Sequence, residues 1–255
     1  MGRRLAAVII VAAIAPGSGT ATNQEAPKLR IHAAASLKDA IDALSQRYQA
    51  KTDTNVTAVY AASGTLARQI AQGAPTDLFI PAHPLWLDWL TDKGVGLDER
   101  AVMATNRLAL IEPRNSPSES GTVAARLQAV ANSDKRVAIG HPAYVPAGLY
   151  ARQALKALGH WEPMQGRLVR AASARATVAA VARGGIAIGL VYRTDARVSQ
   201  RVRSLGLLPT QTHEPIRYAA ALVGVPSQPA RAFIKWLTSG PAQAILADHG
   251  FKKAP

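Results

Sequence analysis

Ala33-Ala34-Ala35-Ser36-Leu37-Lys38-Asp39-Ala40 and, further on, Ala61-Ala62-Ser63-Gly64-Thr65 each put a serine where an apolar strand should stop and a helix begin. Leu29-Arg30-Ile31-His32 leads into the first and Val56-Thr57-Ala58-Val59-Tyr60 into the second. A serine at a helix N-cap offers its hydroxyl beside backbone N–H groups that have no partner inside the helix. Two such ends aimed at one spot form a neutral cradle for a small anion. One capping serine alone would mean little, so the reading depends on finding further helix starts of this kind.

Working outward, strand and helix signals alternate along the chain. Leu37, Ala40, Ile41, Leu44 and Tyr48 recur at helical spacing, and Ser36 with Asp39 resembles a capping box. A second helix is expected over 65–72, closed by Gly73, then a strand over 77–80, a helix over 85–90 and a strand over 107–111 ended by Glu112-Pro113. Helix 123–131, strand 136–140, helix 147–158, a short strand at 168–169, helix 174–183 and strand 186–191 follow. The last third carries a strand over 216–223 and helices over 230–237 and 242–246. Such alternation predicts an α/β architecture with mostly parallel sheets covered on both faces. Ligands of these folds sit at the carboxyl ends of the strands, and the two serines lie at that edge.

Two later segments have the same character. In Tyr144-Val145-Pro146-Ala147-Gly148-Leu149-Tyr150, the proline suits the first turn of a helix, where its missing N–H has no partner anyway. The amides of Ala147 and Gly148 are then expected to face a ligand, with small side chains that let it approach. In Ala172-Ser173-Ala174-Arg175-Ala176, Ser173 can cap a helix whose first free amides include that of Ala174. Gly189-Leu190-Val191-Tyr192 ends a strand on a tyrosine whose hydroxyl can donate one more hydrogen bond.

The chain has 255 residues, 48% of them hydrophobic, and no low-complexity run, which predicts one large or two modest globular domains. Gly2-Arg3-Arg4, the apolar run 5–15 and the break Pro16-Gly17-Ser18-Gly19 followed by small residues read as a secretory signal over 1–21, too short to span a bilayer. Without cysteine there are no disulfides and no lipidated cysteine after the signal. An exported, freely diffusing protein of this kind belongs in a Gram-negative periplasm. The formal charge is +14, or +12 once Arg3 and Arg4 are removed. The positive residues are scattered without a dense tract or flanking aromatics, which speaks against nucleic acid and for a general field that attracts anions.

At this point the residues match a family. Ala-Ala-Ala-Ser-Leu-Lys-Asp-Ala, Ala-Ser-Gly-Thr-Leu-Ala-Arg-Gln-Ile and Gly73-Ala74-Pro75-Thr76-Asp77-Leu78-Phe79-Ile80 together resemble the periplasmic molybdate-binding proteins of ABC transporters. Val145 to Ala151, Ile188 to Tyr192 and the tail from Ala242 to Phe251 continue the resemblance over nearly all of the mature chain. It implies a two-lobed, type 2 periplasmic binding fold: a mixed, mostly parallel sheet flanked by helices in each lobe, and two crossover strands as hinge. Lobe 1 would comprise 28–108 and 194–255, lobe 2 109–193. It also implies an oxyanion held by Ser36 and Ser63 through hydroxyl and amide, by the amides of Ala147 and Ala174, and by the hydroxyl of Tyr192. Molybdenum would be present only as molybdate, with no other metal and no cofactor. The protein would be a monomer that hands molybdate or tungstate to a membrane permease driven by an ATPase. Three positions depart from the pattern: Ala174 stands where better-known relatives carry valine, and His83 and His141 stand where acidic residues are frequent.

The chemistry fits independently of the resemblance. Molybdate and tungstate at neutral pH are fully deprotonated tetrahedral dianions that accept hydrogen bonds and donate none. A site of N–H and O–H donors satisfies them and leaves the O–H of a protonated phosphate without an acceptor. Sulfate has the same charge and shape, so cavity size must exclude it. The same fold binding sulfate or phosphate is the alternative reading. Catalysis is not expected: there is no cysteine, His-Glu-x-x-His helix, Gly-x-Ser-x-Gly elbow or P-loop, and the six histidines are dispersed. Asp39 and Asp77 read as a helix cap and a strand-end contact.

Overall fold

Lys28–Ala34 (β1) carries buried Leu29, Ile31 and Ala33 alternating with exposed Lys28 and Arg30, then buries everything as it enters the interior. The computed structural model describes residues 26–117 and 121–254; the signal expected over 1–21 lies outside them. β1 is flanked by Asn55–Ala61 (β2) and Leu78–Ile80 (β3), both parallel to it. Arg217–Val223 (β10) runs antiparallel between β3 and Leu97–Thr105 (β4), completing a five-stranded sheet in the order β2-β1-β3-β10-β4.

The second sheet repeats this plan. Val137–Gly140 (β6) lies between Leu168–Ala171 (β7) and Ile188–Tyr192 (β8), parallel to both. Leu108–Pro113 (β5) runs antiparallel between β8 and Val202–Leu207 (β9), giving β7-β6-β8-β5-β9. Each sheet is therefore mixed, with four strands pointing one way and one inserted the other way. The chain passes between the sheets twice, at 106–107 and over 208–216.

One boundary differs from expectation. Residues 194–207 belong to lobe 2, not lobe 1, because β9 pairs with β5 along its length. Lobe 2 thus spans 107–208, and lobe 1 is built from the two ends of the chain. Both β4 and β9 escaped the sequence reading. Each is an edge strand with an irregular register, and β4 carries Asp98-Glu99-Arg100 with Glu99 at φ 44°.

Helices cover the sheets through apolar stripes. In lobe 1, Lys38–Gln49 (α1) buries Ala40, Ile41, Leu44 and Tyr48, Ser63–Ala71 (α2) buries Leu66, Ala67 and Ile70, and Leu85–Asp92 (α3) buries Trp86, Leu87 and Leu90. Lobe 2 has Val123–Ala131 (α4), Pro146–Ala157 (α5), the single turn Trp161–Met164 (α6) and Ala174–Ala182 (α7). Gln228–Leu237 (α8) and Gly240–Asp248 (α9) return to lobe 1, and the tail pairs Lys252 with Thr105. The largest apolar cluster runs through both lobes, and Tyr150, Tyr192, Tyr218 and Phe251 form a chain of edge-on rings along it. Each fully buried aliphatic or aromatic side chain here stabilises by about 1.5–3 kcal/mol relative to exposure.

Candidate functional site

The carboxyl ends of six strands face one another across the two lobes, and the loops leaving them surround a small cavity of about 10 Å³. Lobe 1 contributes Ala34, Ala35, Ser36, Ala61, Ala62, Ser63 and Ala82; lobe 2 contributes Val145, Pro146, Ala147, Ser173, Ala174 and Tyr192. All five residues singled out from the sequence therefore meet at one place. Each is nearly closed off from solvent, the most exposed being Ala174 at 5%. Among the described residues, no charged side chain lines the cavity.

Local structure explains how each donor is presented. Ser36 sits in a short 3-10 turn, Ala35–Leu37, between β1 and α1, and Ser63 is the first residue of α2. Neither is an N-cap: Ala34 and Ala62 hold those positions, and no side-chain capping bond forms at α1 or α2. The capping-box expectation for Ser36 and Asp39 is therefore not met, because both serine hydroxyls are held by tertiary partners instead. Ser63 Oγ accepts from the Ala82 amide at 3.0 Å, and Ser36 Oγ lies 3.1 Å from the Tyr218 hydroxyl. Tyr218 in turn accepts from Asn106 Nδ2 at 3.3 Å, and that amide also donates to Thr194 Oγ1 at 3.0 Å. Asn106 stands at the first crossing between lobes, so the backing of Ser36 is tied to the hinge. These supporting residues are far apart in sequence and no local signal marks them.

In lobe 2, Ser173 is an N-cap, as expected: its side chain accepts from the Ala176 amide at 3.0 Å. The first amides of a helix have no partner within it, and Ala174, which opens α7, lines the cavity. Pro146 opens α5 as the sequence suggested. The amide of Gly148, however, turns back to Val145 O at 2.9 Å, and that of Leu149 does the same at 3.1 Å, so the expectation that the Gly148 amide faces a ligand is not met. Gly148 is small for another reason. A Cβ there would lie 1.9 Å from the Gly140 carbonyl oxygen, so the residue lets α5 rest directly on the backbone of β6.

Tyr192 closes the floor. It is 1% exposed, and its hydroxyl has no hydrogen-bond partner. Burial pushes its pKa well above 10, so the oxygen keeps its proton and can donate. Tyr218 is held protonated by the same cause.

The lobes are in contact around the cavity. Gly64 N donates to Tyr144 O at 3.0 Å across the cleft, an approach that a Cβ on Gly64 would block, being 2.8 Å from the Tyr144 Cβ. Asp39, expected to cap α1, instead pairs with Arg175 of α7 at 2.9 Å. Asp77 makes the expected strand-end contact, accepting from Arg30 N, Nε and Nη2 at 2.7, 3.1 and 2.9 Å. Neither His83 nor His141 lines the cavity. His83 stacks on Tyr150 with Nδ1 accepting from Leu85 N, which leaves the proton on Nε2 to reach Glu214 at 3.1 Å. Burial lowers its pKa against the opposing pull of Glu214. His141 stacks on Tyr144, ring centres 4.6 Å apart.

Comparison with known proteins follows this geometry. The family description "Bacterial extracellular solute-binding protein" matches residues 29–252. The molybdate-binding protein ModA of Haemophilus influenzae is 36% identical over 227 residues, covering 88% of this chain and 89% of that protein. Among solved structures, the periplasmic molybdate-binding protein of Azotobacter vinelandii superposes with a TM-score of 0.76 at 24% identity, covering 89% of this chain and all of that one. The sulfate-binding protein SubI from Mycobacterium tuberculosis gives 0.75 at 15% identity over 89% of this chain and 87% of that one. At those identities the two structures speak for the fold alone.

Proposed function

The chain belongs to the bacterial extracellular solute-binding proteins, within their molybdate-binding group, and from that premise we propose that it captures molybdate or tungstate in the cavity between its lobes. It acts by binding and not by catalysis. The hydroxyls and amides of Ser36 and Ser63, the amides of Ala147 and Ala174 and the hydroxyl of Tyr192 surround the anion. The closed form then docks on the membrane permease of an ABC transporter, and the protein works as a periplasmic monomer.

One observation carries the ligand assignment: the Tyr192 hydroxyl is buried without a partner in a cavity that no charged side chain enters. A buried donor left unmade costs about 1–3 kcal/mol, which an anion accepting from it relieves. Ser63 Oγ already accepts from Ala82, so its proton is available to the ligand. Asn106 donates to Tyr218, the tyrosine proton can pass to Ser36 Oγ, and the serine proton is then free for the anion. A ring of donors without a carboxylate suits an ion that carries no proton and leaves a protonated phosphate one unmatched O–H.

Sulfate remains the second reading, favoured by the likeness of fold to the sulfate-binding protein. Donor chemistry does not separate the two ions; the longer Mo–O bond does, through hydrogen bonds that would be stretched around the smaller ion. Thermal unfolding with molybdate, tungstate, sulfate and phosphate decides between them. At a thousandfold excess over Kd, the ligand adds about 4 kcal/mol of stability. A large shift with molybdate and tungstate and none with sulfate is the expected result; a shift selective for sulfate or phosphate would overturn the assignment.

A further inference from the structure

Arg175 follows Ala174 directly in α7 and reaches two carboxylates at once. Its Nε lies 2.7 Å from Asp195 Oδ1 within lobe 2, and its Nη2 lies 2.9 Å from Asp39 Oδ2 in lobe 1. Asp195, in the 3-10 turn Asp195–Arg197, is completely buried, and neither carboxylate oxygen has a hydrogen bond of good direction. A buried carboxylate demands a nearby cation, so Asp195 holds the guanidinium in place from inside lobe 2. Burial pushes the Asp195 carboxyl up to about 7, and Arg175 opposes that shift. Asp39 is in the first turn of α1, with half of its side chain exposed, close behind Ser36.

We propose that Arg175 is a positioning residue that latches the closed cleft: anchored on Asp195, it grips Asp39 and so joins the turn carrying Ser36 to the helix start carrying Ala174. The inference rests on the anion site described above and adds what sets the lifetime of the closed state. The two ends of the latch have different duties. Opening breaks the contact with Asp39, which water can replace, while the pair with buried Asp195 survives in either state. Lysine at 175 would keep a charge beside Asp195 but lacks the planar fork needed to serve both carboxylates.

Release of molybdate measured by stopped-flow in the full chain tests this. Asp39→Asn should raise the release rate about twofold to fivefold, in the range for a partly exposed ion pair, with ligand-free thermal stability unchanged. Asp39→Glu should restore slow release. Asp42→Asn is the control, since Asp42 lies on the same helix and pairs with Lys38 and Tyr60 of its own lobe. The sign is diagnostic, because removing a negative charge near an anion site would by electrostatics alone tighten binding. Asp39→Asn releasing no faster than Asp42→Asn would overturn the latch. If the unaltered protein binds sulfate or phosphate and not molybdate, the ligand assignment fails, and the same variants compared with that anion decide the latch separately. If none of the four anions binds, both fall.

Discussion

The two lobes share one strand order and diverge in how they donate hydrogen bonds. The turn after β1 presents Ser36, while the corresponding turn after β6 leads to Ala147. The helix after β2 starts at Ser63, that after β7 at Ala174. In the proposed site lobe 1 would therefore add two serine hydroxyls to its backbone amides, whereas lobe 2 would rely on backbone amides and one tyrosine at the end of β8. Charge diverges as well: residues 107–208 hold fifteen Lys and Arg against five Asp and Glu, and the remainder from 26 onward holds thirteen against ten. Most of the net positive charge lies in lobe 2, yet among the described residues no charged side chain lines the cavity. Attraction and recognition are thus separate properties of the molecule, the first spread over a surface, the second confined to a few neutral donors.

The comparison breaks most visibly at the hydroxyls. Ser63→Ala removes a ligand donor and also orphans the buried Ala82 amide; calorimetry should show affinity falling by about 1.5–3 kcal/mol, the range for hydrogen bonds to charged groups. Ser36→Ala should cost the same range, and unchanged affinity in both variants would remove the two hydroxyls from the site.

Tyr192→Phe comes next and should act in opposite directions on two measurements. Removing an unpartnered buried hydroxyl should stabilise the ligand-free protein by about 1 kcal/mol in chemical denaturation. The same change should weaken molybdate binding by at least as much. A loss of ligand-free stability would mean that the hydroxyl has a partner when the site is empty.

Acid probes the seam between the lobes. Burial lowers the pKa of His32, His83, His160 and His213, and His83 and His213 both pack against Tyr150. A histidine with a depressed native pKa binds its proton less readily when folded. Its contribution is therefore complete above the unfolded value of 6.5 and is lost as pH falls through 6.5 toward the native value, each pKa unit being worth about 1.4 kcal/mol. Asp195, raised when folded, works the opposite way between about pH 4 and 7. Between pH 7 and 5 the histidines lower the midpoint of thermal unfolding and Asp195 raises it, so His83→Gln should make the midpoint more resistant to acid than in the unaltered protein. An equal pH dependence in the variant would show that folding does not depress the His83 pKa.

The smallest effect sharpens the contrast. Ala174→Val changes a side chain while the donor is its own backbone amide, so affinity should move by less than about 0.5 kcal/mol. A loss comparable to that of the serine variants would show that the side chain, and not the amide, governs lobe 2.

The strand–helix alternation and the helix starts around the site are legible because each sits at a junction whose local chemistry repeats (apolar strand, small residues, a polar or proline start, then a helical stripe), while the choice of five residues among them came from the family resemblance. What was not legible depends on contacts between distant segments. Ser36 and Ser63 look like caps from their neighbours, yet Tyr218 and Ala82, brought in by other strands, claim their oxygens. Gly148 looks like space for a ligand until β6 is seen pressed against it. β4 and β9 hide because edge strands tolerate charge and bulges that break the alternating pattern. Arg175 gives no sign in sequence of the two carboxylates it spans, one 136 residues before it.

The insertion of β10 between β3 and β4 has a consequence for how the molecule comes into being. Lobe 2 is one continuous stretch and has all its strands once residue 207 has been made. Lobe 1 has four of its five strands earlier still, but β3 and β4 have no neighbour in common until residues 217–223 arrive. The first-made half of the sheet must therefore wait, with an open gap, while its partner lobe assembles. Such late closure of distant contacts is slow and leaves unpaired strand edges exposed meanwhile.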